Sequence, residues 1–301
     1  MNLCVALGGG GARGLSHLGV LQVLERERVP VDGIIGTSVG AIVGATYALH
    51  PDAHEITRRA LGYLNSESFR GDIFKKVLFR SEGTSQNVLA NLVRNIRKGY
   101  IFSNLLRKPA IFHSQRLLDL ICDLIPDRTF ADCSIPFAVP AIDVRSGKEV
   151  LLTEGPLRQA VLASCSLPGF FPPVERDGML LADAGIVGPV AVDATRRHFA
   201  PAIVIAVDIT PEIEPVGEIH LGVEALLRME SIAGKRLNEI ELGRADLVIH
   251  PSVGTKSWSD FSGLEDLVSQ GIAAAEAKVR NLRKLITEHR ILFWKTPRSP
   301  A

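Results

Sequence analysis

A serine between two glycines is the first feature of this sequence that could do chemistry. Ser38 lies in Gly36-Thr37-Ser38-Val39-Gly40, between a short apolar run and a helical pattern. Glycines remove the Cβ atoms that would clash at a sharp strand-to-helix corner, and such a corner exposes the serine hydroxyl. The start of a helix also favours developing negative charge. Ser38 is therefore a candidate nucleophile, and the alternative is a helix-capping serine between packing glycines.

A run of glycines precedes the first predicted helix. Gly8-Gly9-Gly10-Gly11-Ala12-Arg13-Gly14 follows the apolar residues 3–7. Such a loop presents successive backbone N–H groups to an anion, and neighbouring parallel strands end at the same edge of a sheet. This glycine loop (residues 8–14) could form an oxyanion hole beside Ser38. The alternative is a dinucleotide site, because Gly9-x-Gly11-x-x-Gly14 matches that fingerprint.

The position of the acidic residue argues against a dinucleotide site. That residue should end the second strand, whereas Asp32 precedes it and Ser38 follows it. A Walker-type phosphate loop also fails, because Leu15 stands where lysine is required. The oxyanion hole is the better interpretation of the glycine loop.

A serine hydroxyl needs a neighbouring base before it becomes a useful nucleophile. None of the eight histidines stands in a turn with other catalytic-looking residues, and most are expected on the surface or in the core. Asp183 is the better candidate, because it lies between an apolar strand end and the small turn Ala184-Gly185. The alternative is a turn aspartate that bonds its own backbone.

The elements that must position these residues alternate between strand and helix. Strand, turn, helix, strand, turn and helix over the first 49 residues predict parallel strands with helical crossovers, hence an α/β fold. Further strands are predicted at residues 137–144, 149–153, 179–182, 203–207 and 247–249. Further helices are predicted from Ser114, at residues 156–163 and at residues 263–289.

Residues 58–108 differ from the rest of the chain in charge. They contain eleven Lys and Arg but three acidic residues. Within them, an amphipathic helix is predicted over residues 88–98, with Arg94, Arg97 and Lys98 opposite its apolar face. We predict a basic helical cap insertion at about residues 58–112, whose residues 58–108 contact an anionic membrane. The alternative is a solvated pair of helices packed on the core.

The composition excludes several classes of protein. Of 301 residues, 46% are hydrophobic and 22% charged, which excludes disordered and fibrous chains. A net charge of +1 argues against a dedicated nucleic-acid binder. Four scattered cysteines predict no metal site and a reducing compartment. With no apolar run of roughly 20 residues and no signal peptide, we expect a cytoplasmic protein, peripheral to a membrane at most.

Four segments together resemble the patatin-like phospholipase family, in the family's order. They are residues 8–14, residues 36–40, residues 163–173 and Asp183-Ala184-Gly185. The helix predicted at 263–289 closes the fold, so we predict one domain over residues 1–290 with a tail at 291–301. The resemblance implies a three-layer α/β/α fold with a mainly parallel central sheet. It also implies hydrolysis of acyl esters of lipids by a serine–aspartate dyad, with no histidine, metal or cofactor.

The resemblance assigns roles to individual residues. Ser38 would be the nucleophile and Asp183 the base. The oxyanion hole would be formed by the N–H groups of Gly9, Gly10, Gly11 and Val39. Arg13 would hold the loop in shape or face a phosphate, and Gly36, Gly40 and Gly185 would support the turns.

One residue departs from the family's pattern, which usually has glycine where Ala184 stands. An alanine forced to a positive φ would be strained by about 1–2 kcal/mol. Two other functions stay open, and Ala184 bears only on the second. They are an acyltransferase that uses the same dyad and a weakly active regulatory protein on a patatin-like scaffold.

Overall fold

The computed structural model describes most of the chain outside the basic stretch. The described residues are 2–67, 69, 107–108, 110–254, 256 and 258–295. The helix predicted at 88–98 and most of the predicted cap at 58–112 therefore lie outside the described residues.

Eight strands form one mixed sheet. They are β1 Leu3–Leu7, β2 Gly33–Gly36, β3 Phe137–Asp143, β4 Lys148–Leu152, β5 Val174–Arg176, β6 Met179–Asp183, β7 Ile203–Val207 and β8 Leu247–Ile249. Their order is β5-β6-β3-β2-β1-β7-β8, with β4 also paired to β3. Strands β3, β2, β1, β7 and β8 run parallel, and β4, β5 and β6 join antiparallel. The predicted mainly parallel sheet is confirmed.

The described helices pack on both faces of the sheet. They are α1 Leu15–Arg26, α2 Val39–Leu49, α3 Ala53–Asn65, α4 Ser114–Leu124, α5 Leu157–Cys165, α6 Val192–Phe199, α7 Gly222–Leu242, α8 Leu264–Glu276 and α9 Val279–Lys295. Short 3-10 turns cover Gly11–Gly14, Phe130–Asp132 and Ala184–Ile186.

Side chains of β1 alternate between two apolar cores, as a strand buried on both faces requires. Leu3, Val5 and Leu7 belong to the larger core with α1, α2 and α8. Ala6 belongs to a second core with Val192 at the start of α6. The three-layer α/β/α arrangement is thereby confirmed. The glycine loop and the turn that carries Ser38 leave the carboxyl ends of the neighbouring parallel strands β1 and β2.

The C-terminal region differs from the expectation of one long helix at 263–289. It forms α8 and α9, which are separated at Ala277 and Lys278. The N–H of Lys278 bonds to the carbonyl of Ala275, three residues back, which tightens the last turn and ends α8. Helix α9 continues to Lys295, beyond the predicted start of the tail at residue 291.

Across the described ranges, no helix is both long and apolar enough to pass through a lipid bilayer.

Candidate active site

Ser38 occupies a sharp corner between β2 and α2, the serine elbow (residues 36–40). Its backbone has φ 54° and ψ −120°, in a region that only a few non-glycine residues adopt. A Cβ on Gly36 would lie 2.2 Å from the carbonyl oxygen of Gly40, and one on Gly40 would lie 2.3 Å from that of Leu7. The two glycines are therefore required by close backbone contact, as predicted.

A second serine holds the elbow from the opposite side. The backbone N–H of Ser38 donates to the hydroxyl of Ser164 at 3.0 Å, and this hydroxyl donates to the carbonyl of Pro140 at 2.8 Å. Ser164 is fully buried near the end of α5. Sequence reasoning placed it in a family motif without a role, and nothing in the local spacing indicates that it reaches Ser38.

Asp183 ends β6 and is 5% exposed. Its Oδ1 accepts the N–H of Gly185 at 2.7 Å. Burial raises the pKa of the carboxyl to about 6, although the Ser38 side chain and the Gly185 N–H both act to lower it. The fold therefore brings Ser38 and Asp183, 145 positions apart in the sequence, to the same cavity, where the Ser38 side chain acts on the pKa of the carboxyl group.

Ala184 adopts the turn without strain. It begins the 3-10 turn Ala184–Ile186, and its φ is not positive. The turn therefore does not need the glycine usual in the family, and the strain considered for Ala184 is absent.

The first two N–H groups of the glycine loop donate to backbone carbonyls of other segments. Gly8 donates to the carbonyl of Val207 at 3.0 Å, and Gly9 donates to that of Pro189 at 2.9 Å. Gly9 was expected to donate to an oxyanion, but its N–H is already bonded, because the chain after β6 passes beside the loop. Gly9 therefore leaves the set of proposed donors, although it still lines the cavity.

The N–H groups of Gly10, Gly11 and Val39 have no acceptor among the described residues. Gly11 has φ 59°, and a Cβ on it would lie 2.1 Å from the carbonyl oxygen of Trp258. Glycine is needed at position 11, because of the positive φ and because a Cβ would meet Trp258. The N–H groups of Gly10, Gly11 and Val39 remain available to an anion.

Two basic side chains support the loop from within. The Nε of Arg13 donates to the carbonyl of Gly10 at 2.9 Å. The Nε2 of His17, which is fully buried, lies 2.8 Å from the carbonyl oxygen of Gly8. Arg13 therefore holds the loop in shape, one of the two roles considered for it.

Cys165 is an alternative nucleophile that lines the same cavity. Its thiol lines the cavity and interacts with the Ser38 side chain. Burial raises the pKa of this thiol well above its ordinary value, and the charge of Asp183 adds to the effect. Because the thiolate is the reactive form of cysteine, Cys165 stays an unreactive thiol at neutral pH.

A cavity of about 1160 Å³ opens beside the serine elbow. Ser38 and Asp183 line it, and the same face of α2 continues its wall through Ile42, Thr46 and Leu49. The Thr46 hydroxyl bonds to backbone carbonyls of its own helix, which leaves its methyl group for the cavity. Apolar side chains of the facing helices complete this wall, namely Ile56, Leu117, Leu120 and Leu124. The cavity is large enough for an apolar ligand of drug size or more.

Other candidate ligands fit the structure less well. Asp32, the acidic residue of the dinucleotide interpretation, accepts the N–H of Leu3 at 2.8 Å, at the opposite end of β1 from the glycine loop. Within the part of the chain that the structure describes, no group of three or more His, Cys, Asp and Glu side chains could hold a metal ion.

The sequence is similar to a known family and to individual proteins of other organisms. The sequence model of the patatin-like phospholipase family matches residues 5–196. An uncharacterized NTE family protein of Mycobacterium tuberculosis is 30% identical over 188 residues, which cover 62% of this chain and 44% of that protein. The human patatin-like phospholipase domain-containing protein 6 is 30% identical over 214 residues, which cover 70% of this chain and 14% of that protein.

Among solved structures, VipD from Legionella pneumophila aligns with a TM-score of 0.49 and 16% identity, over 96% of this chain and 67% of VipD. The chain spans less than half the length of the two relatives named above. Since the family match extends from β1 into α6 and takes in well over half of the residues, the chain belongs to the patatin-like phospholipase family.

Proposed function

We propose that this protein hydrolyses acyl esters of lipids, with Ser38 as nucleophile and Asp183 as general base. One observation carries the proposal. A buried carboxyl group and a serine held at a strained corner line the same mostly apolar cavity, beside three N–H groups without an acceptor among the described residues. Membership of the patatin-like phospholipase family supports the same conclusion.

In the first step, the Ser38 Oγ attacks the ester carbonyl while Asp183 accepts its proton. The carbonyl oxygen gains negative charge, which the N–H groups of Gly10, Gly11 and Val39 stabilise. Losing one such donor typically costs on the order of 10²–10³ in rate. The tetrahedral intermediate then breaks its bond to the leaving alcohol, which takes the proton from Asp183, and an acyl-serine remains.

In the second step, water attacks the acyl-serine while Asp183 accepts a proton from it. The bond to the Ser38 Oγ breaks, the proton returns to that oxygen, and the fatty acid leaves. Asp183 therefore serves both steps. Its pKa of about 6 suits this task, because the carboxylate is the main form at neutral pH and is still basic enough to take a proton.

The proposed substrate class follows from the cavity. An acyl chain bound along Ile42, Thr46 and Leu49 would replace water against apolar side chains, which favours binding in proportion to the area buried. A lipid ester with a long acyl chain fits this wall better than a small polar ester does. The predicted contact of residues 58–108 with an anionic membrane stays a prediction, because most of that stretch lies outside the described residues.

The test compares Ser38→Ala with the parent protein. We expect Ser38→Ala to lose both hydrolysis of p-nitrophenyl esters and labelling by a fluorophosphonate probe, with unchanged circular dichroism. Ser269→Ala is the matched control, because the Ser269 hydroxyl bonds within α8 to Glu265 and does not line the cavity. Turnover retained by purified Ser38→Ala would overturn the proposal.

Product analysis with an added alcohol acceptor separates hydrolysis from acyl transfer, since a transferase would yield the new ester in place of free acid.

A further inference from the structure

A buried carboxylate lies beneath the glycine loop, apart from the residues assigned above. Asp208 follows β7 and is 2% exposed. Both of its chain neighbours touch the loop. The Val207 carbonyl accepts the N–H of Gly8, and a Cβ on Gly10 would lie 2.7 Å from Cδ1 of Ile209. Any shift of Asp208 would therefore move two contacts of the loop.

The side chain of Asp208 is tied to three other parts of the fold. Its Oδ1 accepts the N–H of Thr210 at 3.0 Å, the hydroxyl of Thr210 at 2.8 Å, and Nδ2 of Asn238 at 3.2 Å. Its Oδ2 lies 3.2 Å from Nδ1 of His250. Asn238 belongs to α7 and is fully buried, and His250 follows β8. Asp208 thus joins the strand under the loop to α7 and to the end of β8.

The two basic side chains that hold the loop both interact with the charge of Asp208. Burial lowers the pKa of Arg13 to about 10, and Asp208 opposes this shift. Burial lowers the pKa of His17 to about 4, again against Asp208. At neutral pH His17 is therefore neutral and donates from Nε2 to Gly8, while Arg13 is a buried cation. A buried cation without an opposite charge is strongly destabilising.

We propose that Asp208 is a positioning residue for the glycine loop. Its hydrogen bonds to Asn238 and His250 fix the strand on which the loop rests, and its negative charge favours the charged form of the buried Arg13. The proposal rests on the function proposed above, in which the N–H groups of Gly10 and Gly11 stabilise the oxyanion. Because those groups would act on charge that develops in the transition state, displacing them lowers kcat and leaves KM nearly unchanged.

The first experiment measures kcat and KM for Asp208→Asn, which keeps the size of the side chain and removes its charge. We expect kcat to fall about 10²-fold, as for the loss of one oxyanion donor, with KM unchanged. Asp246→Asn is the matched control, because Asp246 accepts the N–H of Val204 at the opposite end of β7. A rise in KM with kcat unchanged, or equal kcat losses in the two variants, would overturn the proposal.

A double-mutant cycle tests the charge balance itself. Arg13→Gln removes the cation and keeps an N–H donor. If Asp208 compensates that cation, Asp208→Asn combined with Arg13→Gln loses less kcat than the two single changes multiplied together. Losses that simply multiply would show that Asp208 does not act through Arg13.

Amide hydrogen exchange measures how stably the N–H groups of the glycine loop are bonded, and it does not depend on catalytic activity. We expect Asp208→Asn to speed exchange at the N–H groups of Gly8 and Gly9, and Asp246→Asn to leave it unchanged. Should Asp208→Asn not fold, His250→Asn is a milder change to the same network, and it should speed exchange to a smaller degree. Unchanged exchange in an active protein would overturn the role of Asp208. If the parent protein has no esterase activity, faster exchange in Asp208→Asn would support the role of Asp208 and overturn the proposed function instead.

Discussion

Asp183 binds a proton more tightly in the folded protein than in the unfolded chain, because burial raises its pKa from 3.8 to about 6. Between about pH 4 and pH 6, Asp183 is protonated to a greater extent in the folded state than in the unfolded chain. The free energy of unfolding therefore falls as pH rises through this window. Above about pH 6 the protein carries the full cost of a buried carboxylate. The same carboxylate is the form that can accept a proton from Ser38.

The activity of the parent protein should follow this titration. We expect kcat/KM for an ester to rise with pH and to reach half its maximum near pH 6, since this parameter reports the pKa of the free enzyme's base. A pH series with a non-ionisable p-nitrophenyl ester, followed at a wavelength insensitive to ionisation of the product, makes the measurement. A profile that is flat from pH 4 to pH 8 would show that Asp183 is not the base.

Replacing Asp183 should separate stability from activity. Asp183→Asn can still accept the Gly185 N–H but has no charge to bury. We expect loss of turnover together with a gain in unfolding free energy of up to about 3 kcal/mol at pH 7, vanishing below pH 4. Urea unfolding at pH 3.5 and pH 7 measures the difference. Equal effects at the two pH values would contradict the assigned cause.

Ser164 offers a prediction about how the elbow is held. Ser164→Ala removes the acceptor of the Ser38 N–H and one donor to the Pro140 carbonyl, and a buried group left unpaired costs about 1–3 kcal/mol. We expect kcat to fall while KM stays close to the parent value. Ser166→Ala is the matched control, because the equally buried Ser166 hydroxyl donates to the carbonyl of Leu162 in the preceding helix α5. The same kcat loss in both variants would argue against a specific role for Ser164.

At the scale of elements, the serine elbow depends on how closely α2 approaches β1. Gly40 lies in the first turn of α2, and a Cβ there would meet the Leu7 carbonyl oxygen at 2.3 Å. Among the described residues, a Cβ on Gly62 in α3 meets nothing within 4 Å. Alanine favours a helix over glycine by roughly 0.5–1 kcal/mol. Gly62→Ala should therefore stabilise the protein by about this amount, and Gly40→Ala should destabilise it and abolish activity. Chemical denaturation measures the change in unfolding free energy of both variants. A Gly40→Ala protein that is stabilised and active would contradict the close approach of α2 to β1.

At the scale of the whole molecule, α2 connects the nucleophile to the wall of the cavity. Ile42 lies one turn from Ser38 and Leu49 lies at the end of the helix. We expect Ile42→Trp to restrict hydrolysis to the shortest acyl chains and Leu49→Trp to exclude only the longest. Thr46→Val keeps the size of the side chain and should leave the profile unchanged.

A series of p-nitrophenyl esters of increasing chain length measures this order. The result expected is a cut-off that moves to longer chains as the tryptophan moves away from Ser38. The same cut-off in both tryptophan variants would show that the acyl chain does not lie along α2.

Features that depend on neighbours along the chain could be predicted from the sequence by itself. The glycines of the elbow, the alternating strands and helices and the candidate pair Ser38 and Asp183 all follow from local spacing or from the resemblance. Local spacing determines them because backbone sterics and periodic burial act over a few residues.

Contacts between distant segments were decided only by the tertiary structure. The bond from Gly9 to Pro189, the support of Ser38 by Ser164 and the bonds from Asp208 to Asn238 and His250 join residues between 30 and 180 positions apart. Only the tertiary structure shows that α8 and α9 are separate helices. The same holds for the unstrained backbone of Ala184. No local pattern encodes which donor meets which acceptor across the fold, because that pairing depends on how all layers pack around the sheet.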